Sequence, residues 1–319
     1  MAGDGGESAV ERYKRLRAER LAGPTTWVEP APALGQDTLW RGLTREGEMR
    51  LLVARASSTL RDVTARLGCS DDTARVAGEL ATAALLVRST LNPEAQVQVS
   101  IGNPGSAGRL LADVWAGESG LRVSIANPGA RASRDGPLLG GGLMQVSRSR
   151  AGREPYVSST NFLEAGIETS MMEYLLHSEQ ILSFLRIEVA VRDGVATDAV
   201  GFLVQAMPEG SRADLERLVR NLDGLDPLRS AMTVEDPDAR GWAGRLLDGF
   251  RWDQVAREKV SFVCRCSRER VLALLAGLPR EDIEDMVRKE EPAETTCEFC
   301  RAVYRVPTPD LRGLLAPGH

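Results

Sequence analysis

Histidine is almost missing from this chain: two occur in 319 residues, His177 and His319. That scarcity excludes a histidine-rich metal centre and a two-histidine zinc-protease helix. It also argues against Ser-His-Asp or Cys-His nucleophilic catalysis. His177 sits in Tyr174-Leu175-Leu176-His177-Ser178-Glu179-Gln180 and reads as a partly buried helix end. Long apolar runs are absent too, and none approaches the roughly 18 residues that span a bilayer. Met1-Ala2-Gly3-Asp4-Gly5-Gly6 shows no charged-then-apolar signal pattern. Aromatics make up only 5% of the residues, too few for a base-stacking platform. Forty basic against forty-five acidic residues give a net charge of −5, which argues against whole-protein binding to a polyanion. No Gly-x-x-x-x-Gly-Lys-Ser/Thr loop occurs; Gly140-Gly141-Gly142 has no lysine and reads as a backbone turn. The expected location is the cytoplasm, where cysteine pairs serve metals or redox sensing rather than a disulfide framework.

Cysteine is scarce but concentrated. Four of the five lie near the C-terminus as two close pairs, Cys264-Arg265-Cys266 and Cys297-Glu298-Phe299-Cys300. Two such pairs about thirty residues apart are the pattern of a four-thiolate Zn²⁺ site, a closed tetrahedron with Zn–S near 2.3 Å and no open position for a substrate. The single-residue gap of the first pair implies a strand-like segment, where residues i and i+2 share a face. Val260-Ser261-Phe262-Val263 leads into it with suitable β-branched and aromatic character. Such a site is either a staple or a switch. The remaining cysteine, Cys69, has no partner near it in sequence and reads as a small buried apolar residue.

Texture along the chain divides it into 1–38, an N-terminal extension; 39–210, an α+β core domain; 211–259, a helical linker; and 260–319, a Cys₄ zinc module. Ser8-Ala9-Val10-Glu11 has capping-box form and starts a short basic helix to about Leu21; Thr25 to Gln36 reads as a proline-rich linker. Trp40 to Ala56 reads as a hairpin turning at Arg45-Glu46-Gly47. Helices are expected over Leu60–Leu67, Asp71–Leu91 and Ile167–Ser178. Strands are expected at Gln96–Ile101, Leu110–Trp115, Leu121–Ile125, Leu143–Val146, Leu185–Val191 and Ala199–Gln205, with a turn at Gly117–Gly120. The charged stretch from Ser211 to Lys259 is broken at Gly224, Pro227, Pro237, Gly241, Gly244 and Gly249. It offers two short amphipathic helices, Ala213–Leu222 and Trp242–Phe250, which need a surface to pack on. In the last segment, helices start at Ser267 and Pro279, and a hairpin strand over Thr295–Val306 carries the second cysteine pair. So small a module has a thin core, and metal binding is expected to supply most of its folding free energy.

These residues resemble the HslO family, the redox-regulated heat-shock chaperones of about thirty-three kilodaltons. The resemblance is carried by Cys264-Arg265-Cys266-Ser267-Arg268-Glu269-Arg270-Val271, by Cys297-Glu298-Phe299-Cys300 and by Tyr304. It extends upstream to about Leu39 through Ala81-Thr82-Ala83-Ala84-Leu85-Leu86, Asn127-Pro128, Glu154-Pro155-Tyr156, Ser178-Glu179-Gln180 and Gly201-Phe202-Leu203-Val204-Gln205-Ala206-Met207-Pro208. Glu164-Ala165-Gly166-Ile167 and Arg122-Val123-Ser124 depart from the family pattern. The resemblance implies a chaperone, not an enzyme: an ATP-independent holdase of the stress response, dormant while Zn²⁺ is held by Cys264, Cys266, Cys297 and Cys300. Oxidation would join Cys264 to Cys266 and Cys297 to Cys300, eject zinc, and unfold the module and linker. Unfolded client proteins are the implied partners, with homodimerisation on activation. Arg265, Arg268 and Arg301 lie close in sequence to offset the thiolate charge. The competing reading is a constitutive zinc module that uses such arginines to bind RNA or a protein partner.

Overall fold

In a computed structural model the described residues are 36–92, 94–102, 105–115, 120–133, 136–223, 225 and 240–315. The helix expected over 8–21, nearly all of the 25–36 linker, the turn at 117–119, and Gly224, Pro227, Pro237 and His319 lie outside them. The chain divides into two compact units, the first ending at Phe262 and the second starting at Val263.

The first unit is a three-layer α+β body. Its first sheet has the order β10 (Trp252–Lys259), β1 (Thr38–Thr44), β2 (Met49–Arg55), β9 (Val195–Ala206), β8 (Ser183–Arg192). Its second has the order β11 (Ser261–Phe262), β5 (Gly120–Ile125), β4 (Leu110–Val114), β3 (Gln96–Gly102), β6 (Gly142–Ser149), β7 (Tyr156–Phe162). The expected hairpin is β1 (Thr38–Thr44) and β2 (Met49–Arg55), turning through Gly47 at φ 82°. The second sheet holds β3 (Gln96–Gly102), β4 (Leu110–Val114), β5 (Gly120–Ile125), β6 (Gly142–Ser149) and β7 (Tyr156–Phe162). Strands β8 (Ser183–Arg192) and β9 (Val195–Ala206) form a hairpin around Asp193 and Gly194.

The alanine-rich helix is the centre of this body. Helix α1 (Ser57–Leu67) precedes it; α2 (Asp71–Arg88) then packs on β2, β8 and β9 of one sheet and on β3, β4 and β5 of the other. A helix buried on both sides cannot be amphipathic, and small residues let both sheets approach. Ala74, Ala77, Ala81, Ala83 and Ala84 are fully buried, and a Cβ on Gly78 would stand 2.8 Å from Cγ1 of Val189. Its start is fixed by a capping box: Ser70 Oγ accepts from Thr73 N, and Thr73 Oγ1 accepts from Ser70 N. Helix α3 (Ile167–His177) packs on β7, β8 and α2. His177 at its end is exposed rather than partly buried, hydrogen-bonded to Glu173 one turn back at 2.9 Å.

The stretch expected to be a helical linker is helical only in part. Helices α4 (Arg212–Asp223) and α5 (Arg240–Leu246) are present and bury Leu218, Val219, Leu222, Trp242, Ala243 and Leu246 in the main core. The Trp242 ring meets Phe202 of β9 edge-on at 5.5 Å. Residues 252–259 instead form β10 (Trp252–Lys259), paired antiparallel to β1. No side chain of β10 is buried, so its attachment left no apolar alternation to read. Strand β11 (Ser261–Phe262) then pairs parallel to β5.

The second unit comprises α6 (Arg268–Ala276), α7 (Arg280–Arg288), β12 (Ala293–Thr296), β13 (Val303–Val306) and α8 (Thr308–Leu314). Among the described residues its core is four fully buried side chains, Val271, Ile283, Val306 and Leu311, with partly buried apolar residues such as Leu275 and Met286 against them.

Candidate metal centre

Cys264 and Cys266 lie on the irregular stretch 263–267, with no turn or bend, and α6 begins directly after it. Ser267 caps that helix, its Oγ accepting from Arg270 N. The second pair sits in the turn between β12 and β13, not on a strand as expected. Arg301 N donates to the Cys297 carbonyl and Cys297 N to the Ala302 carbonyl, each at 2.9 Å. Arg301 takes a left-handed φ of 61°, which folds the chain back after Cys300.

These two segments bring all four predicted ligands together. Their Sγ atoms lie within 4.8 Å of one another, with Cys264–Cys266 at 3.3 Å, Cys264–Cys297 at 3.6 Å and Cys266–Cys300 at 3.4 Å. A disulfide would need about 2.05 Å. A tetrahedron with metal–sulfur bonds of about 2.3 Å has edges of about 3.8 Å. The cluster therefore has the size of a four-thiolate cage around one ion, and four sulfurs close such a cage completely. Cys69 is in the first unit, half-buried against its core and not part of the cluster.

Electrostatics within the cluster is uneven. Burial pushes the Cys266 thiol up, but hydrogen bonds led by Tyr304, and then from the other three cysteines, bring it down to about 7. Tyr304 Oη donates to Cys266 Sγ at 3.0 Å, and that bond in turn pushes the phenol up to about 12. Burial raises Cys264, and raises Cys300 to about 12 with Cys266, Cys264 and Cys297 adding to it. Hydrogen bonding thus favours the thiolate form at Cys266, and a divalent ion held by the four sulfurs would favour that form at each of them. Tyr304 is a hydrogen-bonding role that sequence reading missed, since nothing in Val303-Tyr304-Arg305 marks its hydroxyl as facing sulfur. Arg268, expected to offset thiolate charge, is instead ion-paired to Asp310.

A central helix between two sheets, followed by a small unit built around four clustered thiols, defines a two-unit α+β protein whose second unit is organised by a metal-sized cage. The model of the Hsp33 protein family matches residues 37–307, and the chain belongs to that family. It is 31% identical over 296 residues to a 33 kDa chaperonin of Thermus thermophilus, covering 86% of each chain. It is also 31% identical to a 33 kDa chaperonin of Nostoc punctiforme, covering 88% of this chain and 96% of that one. Among solved structures, the 33 kDa chaperonin (heat shock protein 33 homolog) of Thermotoga maritima shares the fold. Its TM-score is 0.78 at 22% identity, with 88% of this chain and 98% of that chain covered. The match begins two residues before the expected start of the core domain at 39, so nearly all of the N-terminal extension lies outside it.

Proposed function

We propose that the protein is a redox-regulated, ATP-independent holdase chaperone of the cytoplasm whose partners are unfolding client proteins. In the reduced state one Zn²⁺ is held by Cys264, Cys266, Cys297 and Cys300. The observation that carries this reading is the coincidence of four clustered thiols with a unit whose core is four fully buried side chains. Burying four aliphatic side chains contributes about 6–12 kcal/mol, well short of the chain entropy lost on ordering the unit, and structural zinc adds on the order of 10–16 kcal/mol in small modules. Metal and fold of that unit therefore stand or fall together.

Oxidation removes the metal because a disulfide sulfur is no longer a thiolate ligand. Each pair of thiolates gives up two electrons; with hydrogen peroxide, two thiolates, one peroxide and two protons yield one disulfide and two waters. The pairing Cys264–Cys266 and Cys297–Cys300 is the one the family resemblance implies. With zinc lost, the second unit unfolds and the 211–259 segment is released, exposing apolar surface that holds clients; homodimerisation accompanies activation. Three of the five arginines that a nucleic-acid reading would use are engaged within the unit: Arg268 with Asp310, Arg270 with the Arg265 carbonyl and Arg305 with Glu294.

The test follows zinc release with a chromogenic chelator during peroxide titration, while measuring aggregation of a heat-denaturing client in the same samples. Zinc loss and client protection should rise together. Full zinc release with no protection would overturn the chaperone reading, and a salt-dependent shift of RNA by the reduced protein would favour the constitutive module.

A further inference from the structure

Strand β10 is held differently from every other strand of the first sheet. None of its eight residues is buried, whereas five of the seven in β1, its partner, are. The ladder runs from Thr38 opposite Lys259 to Thr44 opposite Trp252, with an irregularity between Arg41 and Gly42. An edge strand attached by its backbone leaves the neighbouring edge able to accept another extended chain.

Two side chains of β10 reach into features of the body. Trp252 meets Trp40 edge-on, centroids 5.5 Å apart. Trp40 reaches it by lying across Gly42, where a Cβ would come within 2.5 Å of the indole. Six residues on, the Glu258 carboxylate bridges two cations: Oε1 accepts from Arg41 Nη2 at 3.3 Å and Oε2 from Arg88 Nη1 at 3.1 Å. The Arg88 side chain is 1% exposed. Arg50 adds a third guanidinium, hydrogen-bonded to Gln205 and to the Thr90 carbonyl. This corner of the sheet is built to receive negative charge. Two further pairs, Arg45–Asp253 and the flanking Arg251–Glu46, are exposed and of the kind that contribute little.

We propose that the outer edge of β1, with the Trp40 face and the Arg41–Arg88 pair, is a binding site for an extended polypeptide bearing an aromatic residue and, six positions later, a carboxylate. In the structure β10 occupies this site as a built-in stand-in. The inference rests on the holdase reading and gives it a surface and a client chemistry: backbone pairing supplies general affinity, and the aromatic and acidic anchors set register. Removing β10 also removes a carboxylate from the buried Arg88, so the vacated edge favours an acidic replacement over an apolar one.

A labelled peptide copying residues 250–260 tests this by fluorescence anisotropy against the full-length protein, reduced with zinc and after peroxide. It should bind only the oxidised protein. Trp252→Ala or Glu258→Ala in the peptide should weaken binding about tenfold. A Glu258→Arg peptide, which would set a positive charge against Arg41 and the buried Arg88, should not bind. Equal binding of all these peptides would overturn the proposal, as would an oxidised protein that protects clients but ignores the peptide. A second variant separates this from the holdase reading: Trp252→Ala/Glu258→Ala in the full chain loosens β10 without oxidant and leaves every fully buried side chain in place. The reduced variant should bind the unaltered peptide. If it does not, the site is wrong even where oxidation activates the protein; if it does while oxidised protein protects no client, the site stands and the holdase reading falls.

Discussion

Trp242 is fully buried on the seven-residue α5 and packs edge-on against Phe202 of β9 at 5.5 Å. A helix that short has no stability of its own, so its place on the body depends on Trp242, Ala243 and Leu246, with Leu218, Val219 and Leu222 of α4 beside them. Trp242→Ala should remove about 3–5 kcal/mol of packing. That shifts the docked–undocked equilibrium of the segment by roughly two to four orders of magnitude, because each 1.4 kcal/mol is tenfold. Native-state hydrogen exchange reads it directly: amides of α4 and α5 should exchange faster by about that factor, while those of the central strand β9 keep their protection. Trp242→Phe should be much milder. It keeps the aromatic contact and deletes an indole N–H that is buried without a hydrogen-bond partner among the described residues. In the proposed function the alanine variant also suppresses client aggregation without peroxide. Unchanged protection of α4 and α5, or an equal loss across β9, would refute the claim that this segment is separately releasable.

The thiol centre predicts that Cys297→Ser lowers bound zinc from one per chain to near none and makes the second unit susceptible to limited proteolysis. Full zinc content with an intact unit would contradict the four-thiolate assignment. Gly194, at φ 76° with a Cβ position 2.0 Å from the Cys69 carbonyl oxygen, predicts that Gly194→Ala destabilises the first unit by about 2–3 kcal/mol in urea unfolding. A change under about 0.5 kcal/mol would mean that the turn relaxes freely. Burial pushes the Cys69 thiol from 9.0 up to about 11, opposed by a hydrogen bond with Thr73. Below pH 9 both folded and unfolded states keep that proton. Between about pH 9 and 11 the unfolded state ionises first, so stability should fall as pH rises through this window, and Cys69→Ser should flatten the fall.

Elements were legible in the sequence where burial is one-sided or complete. Gln96–Ile101 alternates because one face of β3 is buried, and Asp71–Leu91 is long and alanine-rich because α2 is enclosed by two sheets. Strand β7 was missed: Tyr-Val-Ser-Ser-Thr-Asn-Phe lies at a sheet edge and buries only Ser158 and Phe162, so no apolar period marks it. The second half of β6 was missed for a similar reason, since Ser147, Arg148 and Ser149 are only half-buried. At the thiol cluster, spacing announced all four sulfurs but misplaced their setting. A strand brings cysteines two residues apart to one side, whereas a pair three apart needs a turn, and Cys297-Glu298-Phe299-Cys300 uses the turn. The Tyr304 hydrogen bond and the Arg268–Asp310 pair depend on side-chain direction across 38 and 42 residues, which no local pattern encodes.

The way each segment of the first unit is attached also implies an order of release. Helix α2 has most of its side chains buried between two sheets and cannot leave without opening both. Helices α4 and α5 are attached through one apolar face each, and can separate as a pair while the sheet beneath them keeps its ladder. Strand β10 contributes no fully buried side chain, so its separation exposes edge hydrogen bonds, the Glu258 pairs and the single Trp252–Trp40 contact. Local opening free energy follows the apolar contact that opening sacrifices. Exchange protection should therefore rise from β10, through α4 and α5, to α2 and the central strands. In sequence the least firmly held element is also the one nearest the thiol cluster, with only β11 between them. Loss of order beginning at Cys264 would thus meet the weakest attachment first and the strongest last, which lets the linker open while the two-sheet body stays folded.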